Sequence, residues 1–217
     1  MYIYIENNLK DIKLVNSTNI NYTSLNLEFY PDKENLNEFI NKIKNFGDIS
    51  EYHFSKNKIV LNNLKDYNLS GENNDIITKI GSDGYRGTLI LESFDKNKVY
   101  KWKIKLLKSR DNFHFYLGVA SSDFDIYKYD DHCGWYFYVW NQKLYSANPN
   151  NIANKNFKVK FPRSEITIIM DMKERTLRYI IDGEDNGIAY KDIPIDKPLY
   201  PAIYMYYIND CLQFIKC

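Results

Sequence analysis

Three histidines, three cysteines and carboxylates scattered along the length are the residues of this 217-residue chain with which chemistry could be done. Acid–base or nucleophilic catalysis needs such groups within reach of one another. His53, His114 and His132 stand far apart, none lies in a His-Glu-x-x-His pattern, and neither a Gly-x-Ser-x-Gly elbow nor a glycine-rich phosphate loop occurs. Asp130-Asp131-His132-Cys133 gathers metal-ligand types in one contiguous stretch. Zinc takes four ligands at characteristic spacings, so this reads as a solvated loop. Asp182, Glu184 and Asp185 lack the ligand spacing of an EF-hand. Cys133, Cys211 and Cys217 are odd in number and have no Cys-x-x-Cys spacing, which fits reduced thiols in an intracellular protein. The expectation is a non-enzymatic protein with no metal and no cofactor. A carboxylate pair assembled from distant strands, as in a glycoside hydrolase, stays open as the alternative.

Binding chemistry is better represented. Aromatic residues make up 16% of the chain and tyrosine alone accounts for 20 positions. Each buried tyrosine hydroxyl needs a partner, so part of this load is expected at the surface, where Tyr and Trp serve as interface anchors. Tyr127, Tyr129, Tyr206 and Tyr207 are the candidates, whereas Trp102 and Trp135 are assigned to the core. Net charge is +1 with 26% charged residues of interleaved sign, which supplies no basic stripe for nucleic acid or a membrane surface. Lys101, Lys103 and Lys105 alternate with Tyr100, Trp102, Ile104 and Leu106, as on the outer face of a strand. The N-terminal stretch lacks the charged start and apolar run of a signal peptide, and no window is long and apolar enough for a membrane helix. A cytoplasmic protein is expected.

The elements that must position these residues are strands. Ile166, Ile168 and Met170 alternate with Thr167 and Ile169, and Leu177, Tyr179 and Ile181 alternate with Arg178 and Ile180, with a hairpin turn between Asp171 and Thr176. Asp182-Gly183 and Asn186-Gly187 both suit positive-φ tight turns, so a second reversal is expected before a short strand over 188–190. Pro198 and Pro201 bracket the start of another strand. Upstream, strands are expected over 58–61, 87–92, 99–107, 114–120, 134–140, 143–146 and 157–161, with 62–75 and 121–133 as surface loops. Many short strands without alternating helices predict an all-β, two-sheet antiparallel sandwich. Residues 1–51 form an appendage of two short strands and one amphipathic helix, capped by Asp32, striped by Leu36, Phe39, Ile40 and Ile43 and stopped at Gly47. The expected domains are therefore 1–51 and 52–217.

Ordered motifs over the second of these give a resemblance. Tyr85-Arg86-Gly87, Tyr100-Lys101-Trp102-Lys103-Ile104, Leu117-Gly118-Val119-Ala120, Gly134-Trp135, Thr176-Leu177-Arg178-Tyr179, Asp182-Gly183, Gly187-Ile188-Ala189-Tyr190 and Leu199-Tyr200-Pro201-Ala202 follow one another as in a SPRY (B30.2) domain. Two turns depart from that pattern: Pro162-Arg163-Ser164-Glu165 replaces a Gly-Asp pair, and Asp182 replaces an Asn. The resemblance implies a concanavalin-like jelly roll and a protein-interaction module, as in SPRY proteins that recruit substrates to ubiquitin ligases by holding short peptides on loops at one end of the sandwich. The matching positions are Asn62 and Asn63, then Asn112 and His114, then the loop with Tyr127 and Tyr129, and finally Tyr206, Tyr207 and Asn209. The Arg and Pro that the family's ligand site carries in the first turn are Asn here, and its last-turn Trp-Gly is Tyr207-Ile208, so a different ligand is implied. Tyr side chains would anchor an extended peptide while Asn amides bond its backbone. The competing reading is a carbohydrate-binding or glycoside-cleaving sandwich.

Overall fold

Alternation of apolar and polar side chains decides the strands. The computed structural model describes residues 2–4, 13–15, 59–127, 134–146, 148–153 and 165–215. The chain falls into two units, Met1–Lys44 and Asn45–Cys217. In the first, β1 (Tyr2–Tyr4) pairs antiparallel with β2 (Lys13–Val15), Tyr2 opposite Val15.

The second unit holds β3 (Tyr67–Ser70), β4 (Ile76–Lys79), β5 (Arg86–Leu89), β6 (Val99–Lys108), β7 (Phe115–Ser121), β8 (Gly134–Tyr138), β9 (Lys143–Ser146), β10 (Glu165–Asp171), β11 (Thr176–Ile181), β12 (Glu184–Tyr190), β13 (Leu199–Met205) and β14 (Cys211–Ile215). They form a seven-stranded sheet in the order β12-β11-β10-β6-β14-β4-β3 and a five-stranded sheet in the order β5-β13-β7-β8-β9, all pairs antiparallel. This is the expected two-sheet sandwich. β6 turns Trp102, Ile104 and Leu106 inward, β10 adds Ile166, Ile168 and Met170, and the facing sheet supplies Phe115, Leu117, Trp135, Phe137 and Ile203 to the same core. Trp102 and Trp135 are thus core residues, as expected.

Part of the tyrosine is at the surface, with Tyr127 and Tyr145 exposed, and the interior takes much of the rest. Tyr67, Tyr100, Tyr116, Tyr136, Tyr138, Tyr179, Tyr190 and Tyr204 are all buried. The hydroxyls of Tyr67, Tyr100, Tyr179, Tyr190 and Tyr204 reach backbone groups, and that of Tyr138 reaches Tyr85 and His114. Tyr179 donates to the Leu117 carbonyl at 3.0 Å across the two sheets, and Tyr190 reaches the Tyr136 and Tyr145 carbonyls at 2.6 and 2.9 Å. Tyr67 donates to the Arg86 carbonyl and accepts from Met205 N–H at 3.1 Å. Burial raises the pKa of Tyr67, Tyr179 and Tyr190, so the three remain neutral donors. Tyr116, Tyr136, Tyr138 and Tyr204 form a second cluster on the other face of the five-stranded sheet. Gly87 makes room for it, since a Cβ there would meet Phe124 Cζ at 2.3 Å and Tyr204 Cε1 at 2.5 Å.

Three local expectations are corrected. The 62–75 stretch is not one loop, because Tyr67 and Leu69 alternate inside it and form β3 against β4. Its Asn and Asp content hid that alternation. No strand runs over the described part of 58–61, where Leu61 makes a single bridge to Ile90. Asn186-Gly187 does not reverse the chain. It sits in a β-bulge of β12, with Gly187 at φ 73° and its N–H donating to Asp185 Oδ1 at 2.9 Å, so the sole turn between β11 and β12 is Asp182-Gly183. The helix expected after Asp32 and the strand expected over 157–161 lie outside the described residues.

Candidate functional site

Register brings five loops to one end of the sandwich. Met205 at the end of β13 lies opposite Arg86 and Phe115, Tyr138 at the end of β8 lies opposite Tyr116, and Lys79 at the end of β4 lies opposite Tyr67. Residues 62–66, 80–85, 109–114, 139–142 and 206–210 therefore meet.

Rings fill the meeting point. Tyr85 contacts Tyr206 edge-on at 4.8 Å between centroids, and Tyr206 contacts Tyr207 at 4.7 Å. His114 stacks on Trp140 at 5.0 Å and meets Tyr207 edge-on at 5.5 Å. Its Nδ1 lies 2.7 Å from the Tyr138 hydroxyl and 3.3 Å from that of Tyr85, the two hydroxyls being 2.6 Å apart. On the other side, Nε2 faces the Asp111 carboxylate at 3.5 Å. Such pairs favour offset and edge-to-face geometry, which fixes each ring by its neighbours.

Charged groups fix the loops beneath the rings. The Arg110 guanidinium lies 4.1 Å over the Tyr207 ring and donates to Asp83 at 2.9 Å, while Asp83 also accepts from Ile208 N–H at 3.0 Å. The Ile208 N–H first, and Arg110 after it, hold the Asp83 carboxyl below the usual carboxylate range. Asp210 is fully buried and accepts from Arg110 N–H at 2.9 Å and Tyr207 N–H at 3.3 Å. Burial raises its pKa against those donors. Lys79 is likewise buried, its ammonium donating to the carbonyls of Gly81 and Ser82, and burial lowers its pKa. Asn112 and Phe113 are both left-handed, at φ 42° and 52°, which is tolerable for Asn and unfavourable for Phe. Ser109 Oγ holds that turn by accepting from Phe113 N–H at 3.0 Å.

The residues singled out from the sequence are placed unevenly. His114, Tyr206 and Tyr207 are together in the ring cluster. Asn112 is exposed in the same loops, its amide donating to Asp111, and Asn209 is exposed in a left-handed turn at φ 66°. Tyr127 is 53% exposed beside Arg86. Asn62 lies along β5, where its Oδ1 accepts from Leu89 N–H at 2.8 Å and from the Thr88 hydroxyl at 3.1 Å. Asn63 stands behind the surface rather than on it. It is 4% exposed, donates to Asp66 and to the Gly87 carbonyl at 3.1 and 2.9 Å, and accepts from Asp66 N–H at 3.2 Å. Its role in this fold is to hold the turn before β3. Tyr129 and the Asp130-Asp131-His132-Cys133 cluster lie outside the described residues.

Several residues at this end were not singled out beforehand: Arg86, Arg110, Trp140 and Ile208. Trp140 and Ile208 are 45% and 40% exposed. Alternation carried Trp140 into a strand that in fact ends at Tyr138; Arg86 entered only within the Tyr85-Arg86-Gly87 motif, with no role given to it, and no pattern marked Arg110. Among the described residues no three His, Cys, Asp or Glu side chains gather as a metal site. Asp182 accepts from Glu165 N–H at 2.8 Å and Asp185 grips Arg178, so both carboxylates serve their own hairpin.

An antiparallel sandwich with twelve strands among the described residues, whose end loops converge on fixed, partly exposed rings, defines the class: a β-sandwich with a preformed surface at one end. Residues 99–217 match the family model described as the SPRY domain, and the chain belongs to that family. SPRY domains are generally non-catalytic protein-interaction modules. Among solved structures, the chain is similar to the SPRY domain of human HERC1, with a TM-score of 0.58 and 20% identity over 71% of this chain and 96% of that one. It is also similar to the PSpry domain of TRIM65, with a TM-score of 0.54 and 12% identity over 73% and 92%. A human SPRY domain gives a TM-score of 0.51 and 13% identity over 69% and 94%. At these identities the likeness is one of fold. Comparison with curated protein sequences gives no match.

Proposed function

We propose that the loop end of the sandwich binds a segment of a partner protein, without catalysis. One observation carries this reading: Tyr127, Trp140 and Ile208 are 53%, 45% and 40% exposed, with Trp140 stacked on His114, Tyr127 set against Arg86 at the start of β5, and the loop of Ile208 tied down by Asp83 and Asp210. Large apolar groups held in place lose little freedom on binding, so more of their desolvation appears as affinity. Tyr206 and Tyr207 form the half-buried floor, and the exposed amides of Asn112 and Asn209 flank it as backbone partners for an extended segment. Asn62 and Asn63 support the surface from β5 and from the turn before β3.

The charges at this end are mixed in sign, with Arg110 neutralised by Asp83, which suits a protein partner rather than nucleic acid or a membrane surface. In its cellular role the domain, residues 52–217, is proposed to act in the cytoplasm by recruiting a substrate to a ubiquitin ligase.

Affinity capture from native lysate with the wild type and a Tyr206→Ala/Tyr207→Ala variant of matched circular dichroism tests the reading. Partners held by the wild type and lost by the variant support it. Equal capture by both rules out this end as the interface, and retention on glycans in place of proteins turns the assignment to a lectin-like sandwich.

A further inference from the structure

Four arginines fall within the described residues: Arg86, Arg110, Arg175 and Arg178. Three are ion-paired, Arg110 with Asp83 at 2.9 Å, Arg175 with Asp192 at 3.4 Å and Arg178 with Asp185. Those three are exposed, whereas Arg86 is half-buried. Its guanidinium nonetheless has no carboxylate within ion-pairing distance among the described residues. Nη1 donates to the Tyr85 carbonyl at 2.7 Å, and the Tyr127 ring lies 5.3 Å from Cζ. Asp125, in the adjoining loop, turns its Oδ1 to Tyr127 N–H at 2.8 Å. Asp66 is engaged by Asn63. Lys79, buried nearby, is a further positive charge.

Half-burial weakens hydration of a guanidinium, and an opposite charge is the usual compensation. The geometry of that compensation is visible elsewhere in the same molecule. Arg178 holds Asp185 through the edge formed by Nε and Nη2, with Nε to Oδ1 at 2.8 Å and Nη2 to Oδ2. In Arg86 the same edge makes no hydrogen bond within the described residues. Arg86 opens β5 directly after the 80–85 loop, and its Nη1 lies 3.5 Å from where a Cβ on Gly84 of that loop would stand, so the guanidinium is at the loop end.

We propose that Arg86 is the anchor for an acidic side chain, Asp or Glu, of the protein segment bound at the loop end. The carboxylate takes the Nε/Nη2 edge as Asp185 takes that of Arg178, and Tyr127 closes one face of the guanidinium. The assignment rests on the loop end being the binding surface. It goes beyond that reading by giving the ligand a charged residue at one position.

The test is selection of 12-residue peptides from a random display library on the full chain, in parallel with Arg86→Gln and Arg86→Lys. Wild type is expected to enrich Asp or Glu at one position of its motif. Changing that residue to Asn or Gln should weaken binding about 10- to 100-fold, the worth of a charge-assisted paired hydrogen bond. Against Arg86→Gln the same change should matter less than about 2-fold while the rest of the motif is kept, which also shows the variant folded. Arg86→Lys, with charge but no fork, should fall between the two. A wild-type motif without an acidic position, or an acidic preference that survives Arg86→Gln, overturns the assignment and leaves the binding surface standing. A library carrying phosphoserine separates the two anions. Selection of phosphoserine with no binding of Asp or Glu counterparts overturns the carboxylate. Failure to select any peptide removes the binding surface and, with it, the role of Arg86.

Discussion

The β10–β12 hairpins and the loop end of the same sandwich are built from similar residues to opposite effect. In the hairpins Arg178 closes on Asp185, Asp182 caps Glu165 N–H, and Ile168, Leu177 and Tyr179 face inward, so each charge is answered locally. At the loop end Lys79 and Asp210 are buried, Phe113 sits at φ 52°, and Trp140, Tyr127 and Ile208 remain exposed. In the first region the departures are confined to turns and one bulge, with Arg175 and Asp182 at φ 56° and 48°, and no charge is buried. The second accepts buried charge and backbone strain to hold apolar groups in water, and such departures concentrate where a surface is selected for something other than stability.

Perturbing each region should sharpen that contrast. The largest effect is expected from Trp102→Ala in the core common to both sheets, about 3–5 kcal/mol by urea denaturation, with both regions unfolding in one transition. Asp210→Ala should cost about 2–3 kcal/mol, since it strands the Arg110 and Tyr207 N–H groups. Amide exchange should then accelerate in 109–114 and 206–210 and not in β10–β11, whereas equal acceleration in both would erase the distinction.

The buried carboxyl also sets a pH dependence. Burial raises the Asp210 pKa above its unfolded value, so its stabilising contribution is full at low pH and is lost as pH rises through the raised value. Asp210→Asn, which cannot ionise, should therefore gain stability relative to wild type as pH rises across that window, measured by denaturation at a series of pH values. A smaller effect, about 1 kcal/mol, is expected for Tyr206→Ala, which removes the edge contacts to Tyr85 and Tyr207 but no core residue. Arg178→Gln should cost at most about 0.5 kcal/mol and less in high salt, because that pair is 44% and 43% exposed.

The contrast also explains what the sequence disclosed. Strands β6, β10 and β11 were legible because alternation of Trp102, Ile104, Ile166, Ile168, Leu177 and Tyr179 is a local property. β3 was not, because Asn68 and Ser70 surround Leu69 with polar residues and the pairing that defines the strand comes from β4. At the loop end, Tyr206 and Tyr207 were singled out by the aromatic content and, with His114, by the resemblance to a known family. Asn63 was placed in the right turn, but its burial depends on Asp66 and on Gly87 some 24 positions away. Arg86 stands in the family-like Tyr85-Arg86-Gly87 motif and Arg110 in none, and for both the meaning lies in which carboxylates stand near them; Asp83 meets Arg110 only through the fold.

The most direct test of the account is photo-crosslinking in cell lysate with benzoylphenylalanine introduced, one position at a time, in place of Tyr127, Trp140, Ile208 and, on the edge strand of the other sheet, Ile188. All four side chains are exposed, at 53%, 45%, 40% and 46%. Crosslinks to a common protein from the first three positions and none from Ile188 are the predicted result. A partner captured from Ile188 and from none of the loop-end positions would contradict the assignment of the loop end as the binding surface.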